Sequence, residues 1–449
     1  MNSIDSASEH KFEFDIVIVG AGPAGLGAAC GAAESNSRIA VIDDTPWVGG
    51  QIWRGYHQDS KSPAALWLNR FRQSGATLLD RTTVIASPRP GLLLAEHENS
   101  PRQIRWKRLI LATGARELFL PFPGWTLPGI MGPGGLLALA KMGWPIEGKR
   151  VVIAGSGPLL LAVADGLRKL RAKIVSVCEQ APLSRVSRFV LGLLPHWGKA
   201  WQAARLRFSM GTVPYRCGVW PVTAEGEFSV QRVTLTNGLQ TWVEECDLFA
   251  CGFGLVPNVE LPLTLGCELT DDFVWVDNWQ ATSVPNVYCA GEPTGIGGAE
   301  CALTEGQIAG YAATGNQSKA QALLRDRKSW HRFRSALSNT FTLRPELKSL
   351  AQDATLVCRC EDVTLERIRQ FNGWREAKLH SRCGMGACQG RICGAASKII
   401  FGWGAESVRP PILPARVQSL ISQPTANSTG DPRAQSPDLH ATCPPDAST

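Results

Sequence analysis

The sequence predicts an α/β chain of two βαβ-type parallel-sheet units, one inserted into the other, followed by a small helical domain. Three observations predict it. A β-branched run, Asp15-Ile16-Val17-Ile18-Val19, runs directly into Gly20-Ala21-Gly22-Pro23-Ala24-Gly25. A second apolar run, Arg150-Val151-Val152-Ile153-Ala154, runs into Gly155-Ser156-Gly157-Pro158-Leu159-Leu160. Cysteines then cluster towards the C-terminus, as Cys358-Arg359-Cys360 and Cys388-Gln389-Gly390-Arg391-Ile392-Cys393.

In the first unit the glycines are followed by an Ala/Gly-rich stretch to about Ala33, predicted helical, and a second strand from Arg38 to Ile42 that ends in Asp43-Asp44. Strand, glycine turn, helix and strand form the context in which G-x-G-x-x-G carries meaning. Gly20 permits the tight turn, Gly22 lets the backbone approach a pyrophosphate, and Gly25 lets helix and strand pack closely. The helix N-terminus then presents its positive end to the phosphates. Asp43, 23 residues after Gly20, falls where a carboxylate accepts ribose hydroxyls.

The second unit repeats the pattern with a difference. Its strand Ile174 to Val177 ends near Glu179, 24 residues after Gly155, but Leu160 takes the third glycine position and is expected to push the helix off the strand. Binding of NAD(P) or another nucleotide at 155–179 is left open by this fingerprint. Two further strand-turn segments, Leu109 to Gly114 and Val287 to Glu292, fit returns to the first unit. A charged, helix-prone connector spans Lys319 to Asp353, and the Pro/Ser/Thr-rich stretch beyond Ser422 is expected to be disordered.

The cysteine spacing is C-x-C, then 27 residues, then C-x₄-C, with Gly384, Gly386 and Gly390 around the second pair. Four thiolates with closely approaching amides suit an iron–sulfur cluster. Zinc also accepts four thiolates, but its knuckles usually bring C-x₂-C hooks. Cys383 precedes Cys388 by the same spacing that separates Cys388 from Cys393, so spacing alone lets either Cys383 or Cys393 be the fourth ligand.

Composition narrows the function classes. The chain has 449 residues, enough for two or three domains, with a net charge of +7 and no Lys/Arg block that reads as a nucleic-acid footprint. Met1 to Asp15 has no apolar signal core, and no run of 18 apolar residues occurs, so neither a leader nor a membrane span is expected. Fourteen cysteines then fit a reducing cytoplasm. Phe189 to Phe208 mixes apolar and basic residues; a helix over a core or interface is the expectation, with the inner membrane surface as the alternative. No C-x-x-C lies near the glycine fingerprints, which argues against disulphide reductase chemistry, and no Ser-His-Asp or paired-carboxylate arrangement is visible. His57, shortly after Gly49-Gly50-Gln51, is read as a surface or structural residue.

The quoted motifs, with Gly49-Gly50-Gln51, Ala112-Thr113-Gly114 and Glu117 to Gly129, resemble the two-dinucleotide-domain FAD oxidoreductases. The segment 358–393 looks like the [2Fe–2S] domain of the bacterioferritin-associated ferredoxin type. The joined architecture is similar to the flavoprotein A or alpha subunits of opine oxidases, hydroxyproline dehydrogenases and hydrogen cyanide synthase. The resemblance implies FAD held by Gly20, Ala21, Gly22, Pro23, Ala24, Gly25 and Asp43, with Gly50, Gln51, Thr113, Gly114, Gly291 and Glu292 near the rest of it. It implies Cys358, Cys360, Cys388 and Cys393 as cluster ligands, with Cys383 as a nearby spare. The family's usual Gly-Asp is Gly291-Glu292 here, whose longer carboxylate can still accept a hydrogen bond from a ribityl hydroxyl.

The implied partners are a D-amino-acid-oxidase-like flavoprotein subunit, which takes hydride from the substrate, and a small ferredoxin-like subunit. The expected division is 12–125 with 270–315 for the FAD domain, 126–269 for the NAD(P)-like domain, 316–353 for the connector, 354–414 for the cluster domain and 422–449 for the tail. The expected function is electron relay in an amine or imino-acid dehydrogenase. A self-sufficient NAD(P)H-dependent reductase and a cluster-based regulatory protein or scaffold are the alternatives.

Overall fold

The structure is a computed structural model that describes residues 10–54, 62–98, 100–193, 196–404 and 408–421. His57 and the tail beyond residue 421 lie outside the described residues.

The first sheet has seven strands. Its central strand, His10–Val19, pairs in parallel with Ile39–Ile42 on one side and Ser100–Leu111 on the other. Thr77–Leu79 extends one edge, and Val287–Cys289 joins Ser100–Leu111 in parallel. The hairpin Thr82–Arg89 and Leu92–His97 completes the sheet antiparallel. The run Ile16, Val17 and Ile18 is wholly buried: Ile16 and Ile18 pack with Leu26 and Ala302 of the covering helices, and Val17 packs on the other face with Val84 and Leu93 of the hairpin and with Leu261.

Helix Pro23–Ala32 follows the glycine turn and packs on helix Ala299–Ala313 at a separation that only glycines allow. A Cβ on Gly27 would stand 2.5 Å from Leu303 O, and one on Gly306 2.0 Å from Ala24 O. The chain therefore returns to its first sheet after nearly two hundred residues, as the sequence predicts for an interrupted unit.

The second sheet runs Tyr215–Cys217, Lys173–Glu179, Arg150–Gly155, Leu248–Gly252 and Ile130–Met131, all parallel. Leu160, at the third glycine position, fills the space between helix and sheet and is 1% exposed, packed with Val151, Ile153 and Val163. The connector forms helices Gln317–Ala322 and Leu324–Thr340 and a 3₁₀ turn, Pro345–Ser349. The cysteine-bearing domain is a short hairpin, Leu356–Cys358 with Val363–Thr364, and helices Leu365–Arg369, Trp374–Ser381 and Cys393–Phe401.

Among the described residues no helix is long and apolar enough to cross a membrane. The basic stretch forms helices Leu183–Gly192 and Trp197–Ser209. Phe189 covers a core, whereas Trp201 and Phe208 stand exposed.

Candidate functional site: a flavin cradle beside a thiol cavity

The first glycine turn is built as the fingerprint requires. Gly20 has φ +107°, and a Cβ there would meet Ala112 O at 2.2 Å, while one on Gly25 would meet Gly20 O at 1.8 Å. These two glycines are dictated by the protein's own packing. Gly22 is different: the nearest atom to a Cβ there is Gly50 Cα at 4.0 Å. The backbone at Gly22 is thus left approachable at the helix N-terminus, the end that favours an anion such as a pyrophosphate.

The sequence-predicted residues converge on this cradle. Asp43 Oδ2 accepts the Ala21 amide at 2.7 Å, and Oδ1 accepts from Thr45 N and Oγ1, which fixes the carboxylate at the end of its strand with lone pairs left for ribose. Gly49 N donates to Ala21 O at 2.8 Å, so Gly50 and Gln51 stand next to the fingerprint. A Cβ on Gly291 would stand 2.8 Å from Ala24 Cβ, which brings the C-terminal return onto the same helix. Thr113 Oγ1 donates to Asn258 O at 2.6 Å, and Asn258 Nδ2 donates back to Thr113 O, tying the turn at Gly114 to the inserted unit.

Glu292 faces the start of helix Ala299–Ala313, with Oε1 accepting from Gly298 N at 3.0 Å and Oε2 from Gly297 N at 3.2 Å. Burial pushes its carboxyl up to about 7 against those two amides. Behind it lies a residue that the sequence did not flag. Glu305, fully buried, accepts Gly291 N at 2.9 Å and Thr294 Oγ1 at 3.0 Å through Oε2, and pairs with His331 through Oε1 at 2.8 Å. Burial works against its charge, but the His331 hydrogen bond and the Arg334 guanidinium hold its carboxyl below the usual range. Glu305 thus fixes the Gly291 turn from behind. Nothing in the local pattern of helix Ala299–Ala313 marks it, since only the fold brings His331 to it.

The cysteines form a second centre. A cavity of about 200 Å³ is lined by Cys358, Cys360, Cys388 and Cys393, together with Val357, Arg359 and Ile392. The sulfurs of Cys358, Cys383 and Cys393 lie within 4.8 Å of one another, and all three residues are buried. Cys360 and Cys388 line the same cavity and are the more exposed of its thiols. Interaction with the neighbouring thiols pushes the Cys358 thiol far down, while Cys383 and Cys393 are pushed up. Four thiols on one cavity form a donor set compatible with iron and sulfide. Gly386 is required here, since a Cβ would stand 2.3 Å from Cys360 Cβ.

The two centres are physically joined. Strand Ala115–Glu117 leaves the flavin turn at Gly114, and Arg116 Nε donates to Arg391 O, between Cys388 and Cys393, at 3.0 Å. Trp125 Nε1 donates to Leu356 O at 2.6 Å, with Arg359 over its ring.

The second unit keeps its first two glycine positions: a Cβ on Gly155 would meet Gly252 O at 1.7 Å, and Gly157 has φ +102°. Its carboxylate is fixed on the turn much as Asp43 is in the first unit, but a distant segment of the chain lies against its strand ends. Glu179, wholly buried, accepts Gly157 N at 2.7 Å and Ala181 N at 2.8 Å. Ser156 Oγ donates to Phe341 O, Gln180 Nε2 to Thr342 O, and Arg344 N to Gln180 Oε1. Phe341 to Arg344 therefore lies across the strand ends where a dinucleotide would sit.

Two glycine-turn units, the first with an open pyrophosphate cradle, define a flavin-dependent oxidoreductase. The chain belongs to the pyridine nucleotide-disulphide oxidoreductase family, whose model matches residues 14–365. It is 31% identical over 454 aligned positions to the A subunit of the opine oxidase from Rhizobium meliloti (strain 1021), covering 89% of this chain and 97% of that one. It is also 31% identical over 420 positions to the HcnB subunit of hydrogen cyanide synthase from Pseudomonas protegens, covering 84% and 89%. Among solved structures, L-proline dehydrogenase from P. horikoshii shares the fold with a TM-score of 0.65 at 19% identity, over 92% of this chain and 81% of that one.

Proposed function

We propose that this chain is the electron-relaying subunit of a multi-subunit amine or imino-acid dehydrogenase of the opine, hydroxyproline/proline or glycine-to-cyanide type. FAD occupies the cradle at Gly20 to Gly25, and a [2Fe–2S] cluster is held by Cys358, Cys360, Cys388 and Cys393. When bound, FAD supplies two-electron chemistry and the cluster one-electron chemistry. The carrying observation is that these four thiols line one cavity whose loop is tied through Arg116 to the flavin turn. The relatives are subunits of oxidases and of a synthase, which supports a heteromeric assembly with a substrate-oxidising flavoprotein and a small ferredoxin-like subunit.

The alternative, in which NAD(P)H feeds the flavin through the second unit, is disfavoured by the segment Phe341 to Arg344 across that crevice. The test is an anaerobic titration of the chain loaded with FAD, iron and sulfide, followed by absorbance and EPR. Reduction by dithionite with a [2Fe–2S] signal, and no bleaching by NADH, is the expected result. Rapid bleaching by NADH would make the chain an enzyme in its own right. A cytoplasmic location is part of the same reading; contact with the inner face of the membrane is its alternative, for which the exposed Trp201 and Phe208 beside the arginines of Leu183–Gly192 and Trp197–Ser209 speak.

A further inference from the structure

The cavity does not treat its thiols alike. Cys358, Cys383 and Cys393 come from a strand end, the residues after helix Trp374–Ser381, and the first turn of helix Cys393–Phe401, and their sulfurs meet within 4.8 Å. Cys360 and Cys388 line the same cavity and are more exposed, whereas Cys383 is packed against Cys358 and Cys393 without being among the residues that line it. A [2Fe–2S] cluster held by four cysteines takes two thiolates at each iron. With Cys360 and Cys388 at an outer iron, three buried thiols would stand for the two places at an inner one.

We propose that Cys383 is a reserve ligand of the inner iron, able to take the place of Cys393, so that the cluster has two interchangeable ligand sets. This rests on the reading that the domain carries a [2Fe–2S] cluster. In the exchange the Cys383 thiol gives up its proton and its sulfur bonds to iron; the iron–sulfur bond to Cys393 breaks, and that sulfur takes up a proton. No oxidation state changes.

Sequence and packing support it together. Cys383-x₄-Cys388 repeats the spacing of Cys388-x₄-Cys393, so the same outer ligand is flanked by inner candidates at equal chain distance. Cys383 is 0% exposed and shares one buried cluster with Cys358 and Cys393. The bland reading is that Cys383 is a small packing residue, a common use of buried cysteine. It differs in what it expects when Cys393 is removed.

The test uses the full chain, reconstituted anaerobically with ferrous iron and inorganic sulfide. Iron and acid-labile sulfide are assayed, and EPR spectra are taken after dithionite reduction. Cys383→Ala is expected to load like the wild type. Cys393→Ala is expected to keep most of its iron and sulfide, with shifted g-values. The double variant, and Cys360→Ala or Cys388→Ala alone, are expected to lose the signal. Unfolding midpoints of the metal-free Cys393→Ala and double variants within a few degrees of each other show that loss in the double is not misfolding. A Cys393→Ala variant as empty as the double overturns the reserve ligand while leaving the cluster reading intact. A wild type that takes up no iron overturns both.

Discussion

Arg116 donates through Nε to the carbonyl of Arg391 at 3.0 Å, and through Nη1 to Asn258 Oδ1 at 2.7 Å. Asn258 in turn donates to Thr113 O at 2.9 Å, so one side chain spans the flavin turn and the loop between Cys388 and Cys393. Its charge is met by Glu260 at 2.9 Å, with both side chains mostly buried. Arg116→Ala leaves that carboxylate without its partner and is expected to destabilise the chain by about 3 kcal/mol. Arg116→Lys keeps the charge but not the fork. Denaturant unfolding is expected to place the lysine variant between wild type and alanine. Stopped-flow absorbance of the loaded protein is expected to show slower electron passage between the two centres in both variants.

Gly22 and Gly25 separate binding from folding. A side chain on Gly25 collides with Gly20 O, so Gly25→Val is expected to misfold or lose several kcal/mol. Gly22→Val meets open space and has an ordinary negative φ of −75°, so its unfolding midpoint without flavin should match wild type. The valine fills the pyrophosphate approach, and FAD affinity is expected to fall by at least about tenfold, close to the 1.4 kcal/mol that such a change represents. Fluorescence titration with FAD reads this directly.

Glu305 makes stability depend on acid. Its carboxyl is held below the ordinary 4.5 in the folded chain, so its contribution is fully present above that value and is lost as pH falls through the folded value. Glu305→Ala strands the amide of Gly291 and the His331–Arg334 pair, and is expected to cost about 3–5 kcal/mol at neutral pH. The gap between variant and wild type should narrow on acidification, as read from urea unfolding at a series of pH values.

The segment over the second crevice gives a fourth expectation. Gln180→Ala removes the hydrogen bonds to Thr342 O and from Arg344 N, and should cost about 1–3 kcal/mol. Even so, isothermal titration with NADH is expected to show no binding in the variant, because Ser156 Oγ still holds Phe341 O across the crevice. Binding in the variant but not in the wild type would identify the segment alone as the barrier.

The first cradle was legible in the sequence because its glycines sit at fixed offsets from a strand, and the rule for Gly20, Gly22 and Gly25 concerns local backbone. The four thiols lining the cavity were legible for a similar reason, since C-x-C and C-x₄-C place thiols close together within short loops. At Leu160 the sequence marks only the departure from glycine; that its side chain becomes part of the core between helix and sheet is seen in the packing. Cys383 was marked as a candidate by its spacing from Cys388, and packing brings it to Cys358 and Cys393. Two features were out of reach: Glu305 acquires its role only when helix Leu324–Thr340 brings His331 beside it, and the crevice over Gly155 is closed by residues more than 180 positions away. Each depends on contacts that no local pattern encodes.

The chain between Phe341 and Leu350 anchors its apolar side chains in the core of the second unit, and Ile392, Ala395 and Ile399 of the cysteine domain pack on that same core. The cysteine domain is thus bolted down at both ends of its entry, unlike a carrier that swings between stations. Distance between the glycine cradle and the thiol cavity becomes a constant of the fold, and under the proposed relay turnover would be governed by the docking of outside donors and acceptors instead of by a moving arm.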